Sequence, residues 1–419
     1  MRFFLSCLFV ALYLIRPFEF LPSLYGTSIL LICGVIGLLS VFFALINGQA
    51  KWCESDIFMV GFFVAILFSH MSHMYFGGTL SSFEKFLPVF LGYFLVTHSL
   101  SSRKHVVFLF YLIVISCCFI AVEGCLEYYN GVSYFGIKPL LQNYSVEGEQ
   151  LVLVRIKWLG PFSDPNDLAL LFVIPIPFLI ARFKQSKIIS SAAGGLLILG
   201  IFYTNSRGGM LALIVAILSY FVLRYRNKTG LMLGGFLGVC LLLLGPSRMG
   251  AMSAGESSAY GRIEAWYSGF QMFKTSPVFG VGMDMFIEIN ELTAHNSFVL
   301  VMAELGFFGL FFFTGLFWVP LAKVKSYIWG ELRETLHIED VALLASMAAS
   351  LIAIMTAMFF LSRSYILVPY MLIGIIVMLI GLYDPAGVHA LPNRKTLKEI
   401  MILTITGVVF INIFIKVLL

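Results

Sequence analysis

Long apolar runs separated by short polar breaks recur along the whole 419-residue chain. A helix needs about 20 mostly apolar residues to cross the hydrocarbon layer of a membrane. The pattern predicts 12 or 13 spanning helices. The count depends on whether the first apolar run, which Arg16 and Pro17 interrupt, forms a span. The predicted spans are at about 3–20, 26–47, 57–72, 85–100, 106–128, 166–182, 188–204, 209–223, 230–246, 296–321, 341–361, 365–383 and 399–418.

Composition gives the class of protein that this pattern belongs to. Hydrophobic residues make up 60% of the chain, charged residues 12%, and the mean hydropathy is +0.96, which is far above that of a water-soluble domain. We therefore predict an all-α polytopic membrane protein with a single transmembrane domain over residues 1–419. Most of the seven cysteines lie in apolar runs, which is typical of small buried side chains and not of disulfides or a zinc site.

The lysines and arginines predict the orientation. With a cytoplasmic N-terminus, 16 of the 27 fall on the inner side, mostly in short loops where the positive-inside rule is most reliable. Two longer external segments, 129–165 and 247–294, are too short to be independent domains. The net charge of +5 is then largely a topology signal, and it gives no reason to expect a nucleic-acid partner. No signal-type cleavage site follows Arg2, so the first apolar run is expected to be retained.

Arg207 lies at a predicted external turn between two spans, in the stretch Tyr203–Leu213. Gly208 and Gly209 follow it, and glycines allow a ligand or another backbone to come close. An arginine that reaches lipid headgroups from a helix end is the simpler alternative. The glycines favour a ligand site.

Arg262 precedes an aromatic stripe in the segment 247–294. The stripe predicts an amphipathic helix in the membrane interface, with Arg262 about one turn from Trp266 and in reach of the layer where a lipid diphosphate would lie. Ordinary interfacial anchoring is the alternative. The stripe consists of Ile263, Trp266, Tyr267, Phe270 and Phe273.

His295 directly precedes the predicted span at 296–321, between the loops that carry the two arginines. An imidazole has an unperturbed pKa of about 6.5, so it can be neutral and act as a base at physiological pH. A role as a helix cap is the alternative. His70 and His73 have the spacing of a metal pair, but no third ligand is nearby in the sequence, so packing is expected there and no metal site is predicted.

The first external segment ends in further candidate residues. Arg155 and Lys157 alternate as on an extended strand, which would point both toward an anionic ligand or lipid phosphate. Asn166, between Asp164 and Asp167, precedes a span, where such residues often only cap the helix.

Together these motifs resemble the O-antigen ligase and O-antigen polymerase superfamily of bacterial inner-membrane glycosyltransferases. The likeness extends from about Arg155 to Leu310, and it depends on the order, spacing and common membrane side of elements that are individually weak. The elements are Gly-Pro-Phe-Ser-Asp-Pro-Asn at 160–166, Ser-Arg-Gly-Gly at 206–209, Gly-Arg at 261–262, Gly-Val-Gly at 280–282, and His-Asn at 295–296 followed by Glu304, Gly306 and Gly309.

The resemblance implies a helical, GT-C-like architecture of a lipid-carrier-dependent glycosyltransferase in the inner membrane, with its active site on the periplasmic side. It implies a glycan donor on undecaprenyl diphosphate and a reaction without metal or cofactor. Arg207 and Arg262 would stabilise the diphosphate leaving group, because guanidinium forks suit phosphate oxygens. His295 would take the proton of the acceptor hydroxyl, with inversion at the sugar. Further donor or acceptor contacts are expected from Arg155, Lys157, Asn166 and Asn296.

The acceptor decides between members of the superfamily. A ligase uses the core sugar of lipid A, a polymerase extends a carrier-linked repeat unit of O-antigen or exopolysaccharide, and a further branch modifies proteins; motif similarity favours the ligase. A lipid-linked glycan flippase is an alternative of another class, although the internal repeat or mid-membrane charges that it would need are not evident. A peptidoglycan-type transferase would need an external catalytic acid that has no clear counterpart here.

Overall fold

The protein is described here from a computed structural model, which covers residues 1–146, 149–225, 232, 235, 257–330, 333, 334, 336–384 and 391–418. Eight of the described helices are long and apolar enough to cross a membrane, and three shorter apolar helical segments accompany them. These helices confirm the prediction of an all-α polytopic membrane protein.

Fifteen described helices and one hairpin follow each other along the chain. The first nine helices are α1 (Arg2–Ile15), α2 (Ile29–Ile46), α3 (Glu54–Met71), α4 (Phe76–Ser99), α5 (Arg103–Asn130), α6 (Pro165–Val173), α7 (Ile176–Ala181), α8 (Lys187–Tyr203) and α9 (Arg207–Tyr225). The others are α10 (Ser257–Thr275), α11 (Met285–Asn290), α12 (Ser297–Trp329), α13 (Ile338–Met358), α14 (Leu367–Gly381) and α15 (Arg394–Leu418).

Two of the predicted spans are interrupted in the structure. The first ends at Ile15, because Arg16 adopts a left-handed conformation with φ 58° and Pro17 begins a short 3-10 turn. The span predicted at 166–182 is divided into α6 and α7 around Pro175, whose ring nitrogen has no hydrogen to donate. The span predicted at 230–246 lies outside the described residues, apart from 232 and 235.

The segment 129–165, predicted to be external, contains an antiparallel hairpin that the sequence analysis did not predict. Strand β1 (Leu140–Val146) pairs with β2 (Glu149–Arg155), with Leu140 opposite Arg155. Because β2 ends at Arg155, Lys157 lies beyond the strand, and the expectation that both side chains alternate on one strand is wrong. The backbone N–H of Ile156 then bonds the carbonyl of Tyr203, which attaches the hairpin to the end of α8.

Polar contacts between distant segments occur at two opposite ends of the helix bundle. At the end predicted to be internal, Lys323 Nζ lies 2.8 Å from Glu54 Oε2, and Arg103 Nη2 lies 2.8 Å from Glu339 Oε2. At the end predicted to be external, Arg363 pairs with Asp167. Segments assigned to the same side thus contact each other, in agreement with the predicted alternation of helices.

Helix α12 is broken at Gly306, where φ is 64° and ψ is −162°. The loop 277–282 docks into this break and supplies backbone hydrogen bonds that a regular helix would make internally. Val281 N donates to Ala303 O at 3.0 Å, and Phe307 N donates to Pro277 O at 2.8 Å. The loop that follows α10 is therefore fixed against the outer third of α12.

His70 and His73, at the end of α3, hold the same loop from its other side. His70 Nε2 lies 3.0 Å from the carbonyl oxygen of Met283, and His73 Nε2 lies 2.9 Å from that of Gly280. These hydrogen bonds give both histidines a structural role in holding the loop. Each ring uses a nitrogen to order the chain that leads to α11 and α12.

Candidate functional site

His295 lies between two fixed neighbours at the entrance to α12. The carbonyl of Ala294 accepts a hydrogen bond from Trp266 Nε1 at 2.9 Å, and the side chain of Asn296 caps the helix by accepting from two backbone N–H groups. His295 itself is half-buried and has φ 48°, in the left-handed region that side chains other than glycine rarely adopt. Such a conformation persists only where its surroundings impose it, and it is found preferentially at functional sites.

The electrostatic surroundings of His295 favour its neutral form. Burial lowers the pKa of the imidazole below its ordinary value of 6.5, and the positive charges of Arg262 and Arg363 lower it further. The carboxylate of Asp164 acts in the opposite direction but is the weakest of these influences. A neutral imidazole beside two guanidinium groups can accept a proton at physiological pH.

Arg363 is the functional candidate that the sequence analysis missed. It lies in the turn between α13 and α14, and its Nε donates to Asp167 Oδ1 at 2.5 Å. Its backbone N–H donates to Ser297 Oγ at 2.8 Å, and the Ser297 hydroxyl in turn donates to the carbonyl of Leu361. The turn is thus attached to the first residue of α12, two positions from His295. In the sequence, the only indication of a function for Arg363 is its positive charge on the predicted external side.

Asn166 joins three segments at the base of the hairpin. Its Oδ1 accepts from Arg155 Nη2 at 3.0 Å and from Ser206 Oγ at 2.8 Å, and its Nδ2 donates to Asp164 Oδ1 at 2.9 Å. Arg155 also donates from Nε to the carbonyl of Thr204. Arg155 and Asn166 therefore connect β2, the start of α6 and the turn before α9. Their expected substrate contacts stay predictions.

The Ser-Arg-Gly-Gly turn divides its tasks between its residues. Ser206 Oγ accepts from Gly209 N at 3.0 Å and so caps α9. Gly209 lies against Ala169 of α6, where a Cβ would not fit, whereas the space around Gly208 is open. Arg207 is half-buried at the first position of α9. Its predicted role at the diphosphate is compatible with this place and stays a prediction.

The start of α6 connects the two groups of residues. Asp164 belongs to the Asn166 cluster and also influences His295, and Asp167, three residues later, pairs with Arg363. The structure thus brings Arg262, His295 and Arg363 into one electrostatic group. Arg207 belongs to the adjoining turn and is connected to that group through α6.

Helix α10 carries Arg262 and packs on α12. Trp266 and Phe270 are buried, and Gly269 lies against Phe286 and Val299 without room for a Cβ. Tyr267, also a member of the predicted stripe, is 46% exposed, so the stripe does not pack on the protein as one face. The face that packs includes Ala265 and Gly269, small residues that a hydrophobicity pattern does not single out. The position of this helix in the membrane interface stays a prediction.

Lys157 and Asn296 have local contacts of their own. Lys157 donates from its backbone N–H to Glu127 Oε1 at 3.2 Å, which attaches the chain after the hairpin to α5. Asn296 is 1% exposed, and its Oδ1 accepts the two bonds that cap α12. The substrate contact expected from Asn296 stays a prediction. The contact expected from the Lys157 side chain stays a prediction.

An apolar cavity of about 210 Å³ lies beside this group. It is bounded by α10, α12, the end of α13 and α15, and Asn296 lies on its wall next to His295. Gly407 of α15 opens the wall, since nothing lies within 4 Å of the position that its Cβ would occupy. Its aromatic lining includes Trp266, Phe298, Phe359, Phe410 and Phe414. The cavity has the character of a site for a hydrocarbon chain.

Comparison with known proteins finds one family model that matches the central part of the chain. Residues 192–314 match the family model described as O-antigen ligase. The matched region includes Arg207, Arg262 and His295, whereas Arg155 and Arg363 lie outside it. No curated protein and no solved structure matches the chain.

Proposed function

From the O-antigen ligase family region that this chain carries at residues 192–314, we propose that the protein transfers a glycan from undecaprenyl diphosphate to an acceptor hydroxyl. The reaction would take place at the periplasmic face of the bacterial inner membrane. One observation carries the proposal: a half-buried imidazole in a strained backbone conformation, at His295, is influenced by two arginines and lies next to an apolar cavity.

The arginines suit the leaving group. Cleavage of the bond between the sugar and the diphosphate leaves negative charge on phosphate oxygens, and fixed donors aimed at that charge lower the barrier. Arg262 and Arg363 lie near His295, and Asp167 orients Arg363 through its Nε. Arg207, on the adjoining turn, is the third proposed diphosphate ligand. Guanidinium groups can bind phosphate oxygens in pairs of parallel hydrogen bonds.

His295 is the proposed general base. The acceptor oxygen attacks the anomeric carbon while its proton passes to the neutral imidazole, and the bond from that carbon to the diphosphate oxygen breaks. A single displacement of this kind inverts the anomeric configuration. The lowered pKa of His295 keeps the base unprotonated at neutral pH, and the same two cations serve both the base and the leaving group.

The apolar cavity supports a lipid-linked donor. Its wall at Asn296 is adjacent to His295, so a hydrocarbon chain in the cavity would hold its diphosphate close to the arginines. The aromatic lining offers apolar surface whose burial stabilises a bound chain by about 25 cal/mol per Å². From the cavity toward His295, the bound donor would thus place its carrier chain, then its diphosphate and then its sugar.

The test is glycan transfer by the purified protein in liposomes. We expect product from a glycan on undecaprenyl diphosphate, and its loss in His295→Ala. His337→Ala removes an exposed histidine at the other end of the bundle and is expected to retain activity. Carrier movement across the vesicle membrane without product, equal in the wild type and His295→Ala, would instead establish a flippase and refute the transferase.

The acceptor is tested in a deletion strain, because a ligase and a polymerase share the donor chemistry. Carrier-linked polymer that never reaches lipid A identifies a ligase, as we propose. Single unpolymerised units identify a polymerase. Both outcomes leave the roles proposed for His295 and the arginines unchanged.

A further inference from the structure

A second cavity lies at the opposite end of the helix bundle from His295. Its volume is about 410 Å³, roughly twice that of the apolar cavity described above. Four segments of the chain form it, and they are far apart in sequence: the start of α1, the turn 48–51 after α2, the junction of α4 and α5 at 98–105, and the end of α14 at 378–382. A ligand bound there would connect all four.

The charges around this cavity are of one sign. Arg2 and Lys51 contribute to its lining, together with His98 and His105, and the described lining residues include no aspartate or glutamate. Arg2 Nη1 is buried without a hydrogen-bond partner among the described residues. A buried donor of a charged group that lacks an acceptor costs free energy. Arg2 lines the cavity, and a change of its side-chain rotamer would bring Nη1 to the acceptor oxygens of an anionic ligand there.

The histidines of the cavity are held in place. His105 stacks on Phe3 with 4.0 Å between ring centroids, and its Nδ1 lies 3.2 Å from Ser101 Oγ. His98 Nε2 lies 3.1 Å from Asp56 Oδ2. The wall is therefore ordered before a ligand arrives, which reduces the entropy lost on binding.

The carboxylate that contacts His98 of this wall is already engaged. Asp56 accepts from Tyr93 Oη at 3.0 Å and from Cys53 N at 2.7 Å, in addition to its contact with His98. Asp56 is fully buried in the bundle, behind His98. Its partners there stabilise it, so it does not provide the acceptor that Arg2 lacks.

We propose that this cavity binds a phosphate group, with Arg2 and Lys51 as its cationic ligands. A phosphate offers several acceptor oxygens to guanidinium and ammonium donors. The apolar residues Phe3, Leu100, Met378 and Leu382 line the remainder, as suits the glycerol and first methylenes of a phospholipid. The phosphate can belong to an anionic lipid headgroup or be free in solution.

Binding would have a structural effect that is independent of glycan transfer. α1 contacts α2, α4 and α5, while α2 itself is largely exposed along its length. A phosphate held between Arg2 and Lys51 would fix the start of α1 to the turn that connects α2 with α3. A ligand that binds only the folded protein raises the free energy of unfolding, and the gain increases with the logarithm of ligand concentration once that exceeds Kd.

The test measures thermal unfolding of the purified full-length protein in detergent, with added phosphatidylglycerol, phosphatidylcholine or inorganic phosphate. Phosphatidylglycerol is expected to raise Tm increasingly with its concentration, and phosphatidylcholine is not. An equal response to inorganic phosphate alone identifies a free-anion site, and a response to the lipid only identifies a headgroup site. If neither phosphatidylglycerol nor inorganic phosphate changes Tm, the proposal is overturned.

Paired variants separate this site from general surface attraction. In Arg2→Gln/Lys51→Gln, we expect the Kd for phosphatidylglycerol to be weaker by about tenfold or more, the scale of one or more lost charge-assisted hydrogen bonds. Lys184→Gln/Lys187→Gln removes the same charge from exposed positions at the same end and is expected to bind as the wild type does. Equal weakening in both pairs overturns the proposal. If the first pair fails to fold, native mass spectrometry of Lys51→Gln against Lys184→Gln gives the same decision.

Discussion

The imidazole of His295 should impose a characteristic pH dependence on glycan transfer. Its pKa in the folded protein lies below 6.5 because of burial and the charges of Arg262 and Arg363. We expect kcat/KM to reach a plateau at neutral pH and to decrease at acidic pH along a limb centred below pH 6.5, as the ring becomes protonated. An acidic limb centred above pH 6.5 in the pH–rate profile would contradict this assignment.

The same shift has a consequence for stability. The unfolded chain binds a proton at His295 at higher pH than the folded protein does, because the folded pKa is the lower of the two. The contribution of this residue to the free energy of unfolding is therefore fully present above pH 6.5 and is lost as the pH falls toward the folded value. Urea titrations at a series of pH values, compared with His295→Gln, measure it.

Arg363 is expected to act as a substrate-binding residue although it lies outside the matched family region. Arg363→Gln should lower kcat/KM about a hundredfold, the usual scale for the loss of one donor to a developing oxyanion. Arg363→Lys should retain part of the activity, since it keeps the charge but loses the planar fork. Lys274→Gln removes an exposed charge near the same end of the bundle, and a comparable loss in this control would show that only overall charge matters.

At the scale of single elements, the break in α12 determines how the site is held. Gly306 has φ 64° and ψ −162°, and its Cα faces the backbone of Val278 without room for a Cβ. Gly306→Ala is expected to cost about 1–3 kcal/mol in the free energy of unfolding. Gly195→Ala, on an exposed face of α8 with open space around it, serves as the control. An unchanged Tm in Gly306→Ala would mean that the loop 277–282 does not occupy the break.

The apolar cavity allows a separate test of the lipid-linked donor. In Gly407→Leu, the new side chain meets no described atom within contact distance of its Cβ and extends into the cavity. Displacement of about two methylene groups of a bound chain, at about 0.8 kcal/mol each, corresponds to roughly tenfold weaker binding. We expect a higher KM for a long-chain donor and little change for a short-chain one, with Gly195→Leu as the control. Equal effects on both donors would exclude a chain in this cavity.

At the scale of the whole molecule, the orientation of the two ends is open to direct measurement. The predicted topology places Tyr267 outside and Lys184 inside, and both residues are exposed. A membrane-impermeant thiol reagent is expected to label Tyr267→Cys in intact cells and Lys184→Cys only after permeabilisation. Labelling of the unmodified protein gives the background from its own cysteines. The reverse pattern would invert the topology and move the proposed chemistry to the cytoplasm.

The sequence predicted most of the helices, because the length and spacing of apolar runs are local properties that the membrane requirement enforces. It predicted less of their packing. The face of α10 depends on Ala265 and Gly269, whose small size matters only against a partner helix. Arg363 could not be assigned, since its approach to His295 arises from contacts with Ser297 and Asp167 across the fold.

The docked loop also gives the outer end of α12 an unusual vulnerability. In a regular helix, internal hydrogen bonds fix the direction of each turn relative to the next. In α12 the part that begins beside His295 is instead held relative to the rest by hydrogen bonds to residues 277–282. Val278, the second residue of that loop, is 54% exposed. A binder that withdrew this loop would release the imidazole from its alignment, and inhibition would then need no access to the donor or acceptor pocket.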